Sequence, residues 1–143
     1  MSMMTDLRAR LVTDATITGI VGSRIRMNRS EQSDALPRIV LHQISGDHKH
    51  HMTAATGKVT GRVQVDCHAS SPIEAEALAE AVRQSLDGFR GQMNSGTFVS
   101  MCHLNNERNF YNPPHDGGHA SDGVDTVQVD YLIGWTLSVP TPT

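Results

Sequence analysis

The sequence predicts an α+β fold: a mainly antiparallel sheet of about four strands with helices packed on one face. Three observations carry this. Residues 61–69 alternate, with Val63, Val65, Cys67 and Ala69 set against Arg62, Gln64, Asp66 and His68, the period of a strand with one buried face. A helix pattern follows at once, in which Ile73, Ala77, Leu78, Ala81, Val82 and Leu86 recur mostly three or four residues apart and form an apolar stripe. The remaining strand patterns run on without an intervening helix, and such strands usually pair antiparallel.

Taken in order, Thr5 or Asp6 is placed to cap a short helix over residues 7–12. Asp14 caps a second over 15–21, which Gly22 ends, since glycine readily takes the positive φ of a helix C-terminus. Leu7, Leu11, Ile17, Ile20 and Val21 are the expected core of this region, and Ile25 and Met27 suggest a short extended piece. Pro37 permits a strand start, and residues 38–45 read as that strand, with Ile39 and Leu41 on one face and Val40, His42 and Ile44 on the other. Residues 46–60 lack a period and read as a long connection, a class of segment that is often functional.

Ser70 or Ser71 then caps the central helix, whose first turn holds Pro72, Glu74 and Glu76. A hydroxyl acceptor, a proline without an N–H and carboxylates all suit the unpaired donors of a helix start. Asp87-Gly88 supplies the stop. Residues 96–104 read as a strand, with Phe98, Ser100 and Cys102 on one side and Val99, Met101 and His103 on the other; 105–112 continue it, and 113–123 carry turn chemistry. The last strand is the longest, placing Val127, Val129, Tyr131, Ile133, Trp135 and Leu137 on one face. Residues 138–143 are expected to form a frayed tail on a single domain spanning 1–143.

Composition narrows the function. A formal charge of −3 argues against a general nucleic-acid binder, which needs a basic face to neutralise phosphates. No basic run attracts a membrane, and no apolar run approaches the ~18 residues of a spanning helix. The opening residues carry an acid and two arginines where a signal peptide needs its apolar region, so a cytoplasmic origin is expected. Cys67 and Cys102 read as buried free thiols; whether they are bridged depends on a Cα separation that the sequence does not give. Hydrophobic content of 38% is low enough that a partner is expected to complete part of the surface.

Eight histidines are the one excess of a functional residue. His48, His50 and His51 crowd beside Asp47, and His115 and His119 sit with Asp116 and Asp122. Imidazoles and carboxylates are transition-metal ligands, which raises the alternative of a small metal-dependent enzyme. Against it, His115 and His119 are spaced across two glycines that make a poor helix, and polar loops usually carry solvated histidines. No nucleophile elbow or phosphate loop occurs. The sequence offers no catalytic constellation, and no cofactor is expected.

Five segments taken together, LRARLVTDATITGIVGSRI, ALPRIVLHQISG, residues 61–91, NERNFYN and VDTVQVDYLIGW, resemble the tail-completion, or tail-terminator, proteins of long-tailed phages and prophages. The resemblance runs from about Leu7 to Leu137 and implies an α+β domain without catalytic residues. It implies a structural protein at the head–tail junction of the virion that caps the finished tail tube as a ring, typically of six subunits, and docks the head. The implied partners are further copies of the chain, the tail tube protein and a head-completion or connector protein. Another neck or connector role is the alternative within the same particle. The two histidine-bearing loops depart from the family pattern, being longer and richer in histidine. A cyclic ring needs two different matching patches on each subunit. The expected ones are His48, Lys49, His50, His51 and Lys58 on one side, and Glu107, Arg108, Phe110 and Tyr111 on the other.

Overall fold

The computed structural model describes residues 2–29, 35–50, 52, 55–93, 97–112 and 123–137. Helix α1 (Met3–Val12) and helix α2 (Ala15–Val21) lead into strand β1 (Ile25–Met27) and strand β2 (Arg38–Gln43). Strands β3 (Asp47–His50) and β4 (Ala55–Ala69) precede helix α3 (Pro72–Leu86), and β5 (Gly91–Gln92), β6 (Phe98–Asn112) and β7 (Val124–Thr136) complete the order.

The expected sheet of about four mainly antiparallel strands with helices on one face is overturned. Seven strands form one mixed sheet in the order β1-β2-β4-β7-β6-β5, with β3 also paired to β4. It curls into a half-barrel. The β1–β2 pair is parallel, while every other pair is antiparallel. The number was underestimated because β1, β3 and β5 are too short to show a period, and β3 hides in a run of histidines.

The helices form where side-chain chemistry satisfies their first turns. Ser2, rather than Thr5 or Asp6, caps α1: its hydroxyl accepts from the Thr5 N–H at 3.1 Å. Asp6 is instead fully buried and accepts a hydrogen bond from the Thr97 hydroxyl, tying α1 to the start of β6. Asp14 caps α2 through the Thr16 and Ile17 N–H groups, and Gly22 ends it at φ 61°. Ser71 caps α3 by accepting from the Glu74 N–H at 3.2 Å, and Asp87 closes it ahead of Gly88 at φ 83°.

Ala75, Leu78, Ala79, Ala81, Val82 and Leu86 form the buried side of α3. Ile73 is 80% exposed and Ala77 is also exposed, contrary to the sequence stripe. At about 100° per residue, Ile73 stands roughly 140° from Leu78, so it cannot share the face that Leu78 buries. One core joins α3, α1 and α2 to Val63, Val65 and Cys67 of β4 and to Val127, Val129, Tyr131 and Ile133 of β7. Arg10 links α1 to the end of α3: its guanidinium donates to the Ser85 carbonyl at 2.9 Å and lies 3.6 Å from the Phe89 ring centroid. A cation there also complements the negative end of the helix dipole.

The 46–60 stretch, expected to be an unstructured connection, is a β-hairpin arm. Asp47 pairs with Thr60 and His50 with Ala55. Strands β2 and β3 run along the same edge of β4, separated by a crook at 44–46. That crook crosses so closely over Gly61 that a Cβ there would lie 2.1 Å from the Ser45 carbonyl oxygen.

Strand β6 also departs from simple alternation. It carries two bulges against β7, between Val99 and Met101 and between Leu104 and Asn106. Each inserts one residue and reverses which parity faces the core. Val99 and Cys102 are therefore both buried, although the sequence places them on opposite faces.

Candidate assembly surfaces

The polar face of the sheet is built first by register. Directly opposite residues on paired strands share a face, so Arg62, Gln64, Asp66 and His68 of β4 line up with Leu132, Asp130, Gln128 and Thr126 of β7. The result is a row of satisfied polar contacts. His42 Nε2 lies 3.3 Å from Asp66 Oδ2, Gln64 donates to the same carboxylate, and His68 Nδ1 sits 2.8 Å from the Thr126 hydroxyl. Burial, with the nearby Arg38 charge, holds the His68 imidazole below its ordinary pKa. These histidines hold the sheet's outer row together, a structural role.

The residues expected to make subunit contacts fall into two groups. His48, Lys49 and His50 lie exposed on β3 and Lys58 on β4, while His51 lies outside the described residues. Lys49 Nζ sits 2.5 Å from Asp47 Oδ2, and this contact holds the Asp47 carboxyl below the usual range. The Thr56 hydroxyl donates to the Lys49 carbonyl at 2.8 Å, bracing the arm. Glu107, Arg108, Phe110 and Tyr111 are exposed along the far half of β6. Arg108 Nη2 donates to Gln128 Oε1 at 2.6 Å, and its guanidinium stands 5.6 Å from the Phe110 ring centroid.

The two groups are not brought together. Lys58 pairs with Thr136 at one end of β7 and Tyr111 with Asp125 at the other. At about 3.3 Å per residue, they are separated by roughly 35 Å of strand. The β6 group also splits between faces. Glu107 and Tyr111 share the helix side with Val129 and Asp125, whereas Arg108 and Phe110 share the polar side with Gln128 and Thr126.

Sequence reasoning missed a hollow of about 250 Å³ between the start of α3 and the far end of β6 and β7, lined by Pro72, Ala75, Asn109, Tyr111 and Val127. Its walls are the first turn of α3 and the paired ends of β6 and β7. The exposure of Ile73 beside Pro72 is a signal of it, but only once the helix register is known.

Among the described residues, no group of three or more His, Cys, Asp and Glu side chains could hold a metal. The proposed ligands His115, Asp116, His119 and Asp122 lie outside them. Cys67 and Cys102 are free and buried, and burial pushes both thiols up, Cys102 to about 12. Such thiols are poor nucleophiles at neutral pH. Among the described residues, no helix is long and apolar enough to cross a membrane.

Comparison with solved structures finds a similar fold. A chain of the "Virion of native gene transfer agent (GTA) particle" superposes with a TM-score of 0.62 at 14% sequence identity, covering 94% of this chain and 95% of that one. No curated protein matches the sequence. The family model "Tail completion protein gp17" matches residues 5–127. The chain belongs to that tail completion family, and is thereby a structural protein of the phage tail or neck.

Proposed function

We propose that this protein is a non-enzymatic tail terminator. It caps the completed tail tube as a ring with head-to-tail contacts between two unlike surfaces of each subunit, with six copies as the family resemblance implies, and it docks the head on its other side. The observation that carries this reading is the family match over residues 5–127. Two features of the surface support it. The two exposed groups lie toward different ends of β7 and are unlike, in keeping with an interface that joins two different patches, and the histidines of the polar face are engaged in holding the sheet. The tail tube protein and a head-completion protein are the remaining partners, and assembly takes place in the bacterial cytoplasm.

Association costs several kcal/mol of rotational and translational freedom. The ring therefore forms on the tube end that templates it, and the isolated chain in dilute solution is a monomer or weak oligomer. The test is electron microscopy of lysates from a phage or prophage lacking this gene. Filled heads beside unattached, overgrown tails are expected. Separate tails of normal length would assign the protein to another neck role, and intact infectious particles would refute a structural role altogether.

A further inference from the structure

We propose that the outer edge of β6 pairs with the same edge of a second copy of this chain, in a two-fold antiparallel ladder centred on Asn109. The inference concerns the free protein and does not rest on the ring reading. Up to Leu104 that edge is covered: β5 pairs with Phe98 and Val99, the Gly88 N–H donates to the Cys102 carbonyl at 2.7 Å, and the Leu104 N–H donates to Asp87 Oδ1 at 3.0 Å. Beyond it, no strand among the described residues lies along the edge, and residues 105–112 are exposed without a break. The direction of the backbone groups follows from the ladder, in which they alternate between the two neighbours. The Leu137 N–H donates to the Gly57 carbonyl on β4, in register with the rest of that pair, so the odd-numbered residues of β7 aim their backbone at β4. Glu107 and Asn109 stand opposite the odd-numbered Val129 and Val127, and therefore turn their N–H and C=O groups out of the sheet. Such an edge is a template for a further strand, and residues 106–112 hold neither proline nor lysine to discourage one.

The side chains select the occupant and the register. In a two-fold pair, residue i of one copy meets residue j of the other and j meets i, and directly opposite side chains share a face. A ladder centred on Glu107 would oppose two carboxylates, and one centred on Arg108 two guanidiniums. Centring on Asn109 opposes no like charges and uses the whole of residues 106–112, whereas centring on Phe110 shortens the ladder to 108–112. With Asn109 at the axis, each Arg108 faces the Phe110 ring of the other copy on the polar side, a cation–π pairing, and Glu107 faces Tyr111 on the helix side. The other charges flanking the edge limit the affinity. On the helix side Glu76 and Asp125 are acidic like Glu107, and Arg83 is already paired with Glu80. On the polar side Asp130 is paired with Arg62, and the two Arg108 stand diagonally. Like charges are thus near but never opposite, so the dimer is weak and tightens as added salt screens them. The ring reading uses the same edge, so two-fold pairing and entry into a ring exclude one another.

The test is sedimentation equilibrium of the full chain, with a pair of cysteine variants as the second measurement. Wild type is expected to show a monomer–dimer equilibrium whose Kd falls as salt is raised. Asn109→Pro removes the outward N–H at the axis, a change that an edge strand tolerates. Each dimer then lacks two hydrogen bonds, which is expected to raise Kd at least about tenfold, with a cooperative melt showing that the fold is intact. Asn109→Cys places two thiols across the axis, where the Cα atoms of a hydrogen-bonded pair lie about 5.5 Å apart, within the reach of a disulfide. Mild oxidation is expected to give a covalent dimer of Asn109→Cys and little from Glu107→Cys, which is off the axis; the native thiols do not interfere because both are buried. A wild-type chain that stays monomeric at every concentration would overturn the proposal, as would a dimer undiminished by Asn109→Pro or equal cross-linking of the two cysteine variants. A hexamer in place of the dimer would overturn it in favour of the ring contact. Failure of the ring reading is seen separately, as intact particles when the gene is deleted.

Discussion

Tyr131 is the largest fully buried side chain, 0% exposed in the middle of β7, and its hydroxyl has no hydrogen-bond partner among the described residues. It lies between Val63 of β4 and Leu104 of β6. Burial holds the phenol well above its usual pKa, so the group is a neutral, dehydrated hydroxyl at any working pH. A buried hydroxyl without a partner costs about 1–3 kcal/mol relative to one that is paired. Tyr131→Phe removes that cost and forfeits only the dispersion contacts of one oxygen, worth about 0.1–0.2 kcal/mol each. The net expectation is stabilisation of roughly 1 kcal/mol, which for a chain of this length raises Tm by about 2–5 °C. Chemical denaturation with circular dichroism reads it directly, provided the slope with denaturant is unchanged. A loss of more than about 1 kcal/mol would refute the reasoning, because it would mean that the hydroxyl has a strong partner.

Three further outcomes follow from the fold. Leu78→Asp, at a fully buried position, is expected to cost several kcal/mol, while Ile73→Asp, 80% exposed on the same helix, stays within about 0.5 kcal/mol; equal thermal shifts would mean that the register of α3 is wrong. Gly61→Ala places a methyl 2.1 Å from the Ser45 carbonyl oxygen and forces the crook between β2 and β3 outward, at a cost of about 1–3 kcal/mol, so a melt at the wild-type temperature would refute the close crossing. His68 has its pKa lowered from 6.5, first by burial and next by Arg38, with Asp66 opposing. The unfolded chain therefore binds the extra proton first, and His68's contribution is complete above about pH 6.5 and falls as pH drops toward the folded value. Denaturation curves at pH 7.5 and 5.5 should differ less in His68→Asn than in wild type, and an identical pH dependence would remove His68 as a cause.

The parts of this chain that were legible in its sequence are those whose structure is decided locally. The caps Ser71 and Asp14 work through hydroxyl or carboxylate oxygens two or three residues from the donors they satisfy, and Gly22 and Gly88 take positive φ where the helices stop. The alternation of β7 survives into the structure from Val127 to Trp135 because both its neighbours, β4 and β6, lie in the same sheet and one face is dry along that length. What was not legible depends on partners distant in sequence. The bulges of β6 are defined only against β7; the strand's own residues alternate without a break, so Cys102 could be placed beside Val99 only by knowing that an extra residue stands between them. The arm of β3 and β4 was read as a loop because Asp47–His50 is polar on both faces, and hydrophobic period is the signal by which a strand is found.

The same contrast separates the exposed residues of β3 from the hollow beside α3. His48, Lys49 and His50 could be read as exposed from their polarity alone, and they are exposed on β3. The hollow gives no such sign. Pro72 and Ala75 belong to an ordinary helix start, Asn109 and Tyr111 to an ordinary strand, and Val127 to the core pattern of β7. They line one hollow only because the start of α3 and the paired ends of β6 and β7 meet in the fold, a relation among three elements that no single stretch of sequence contains.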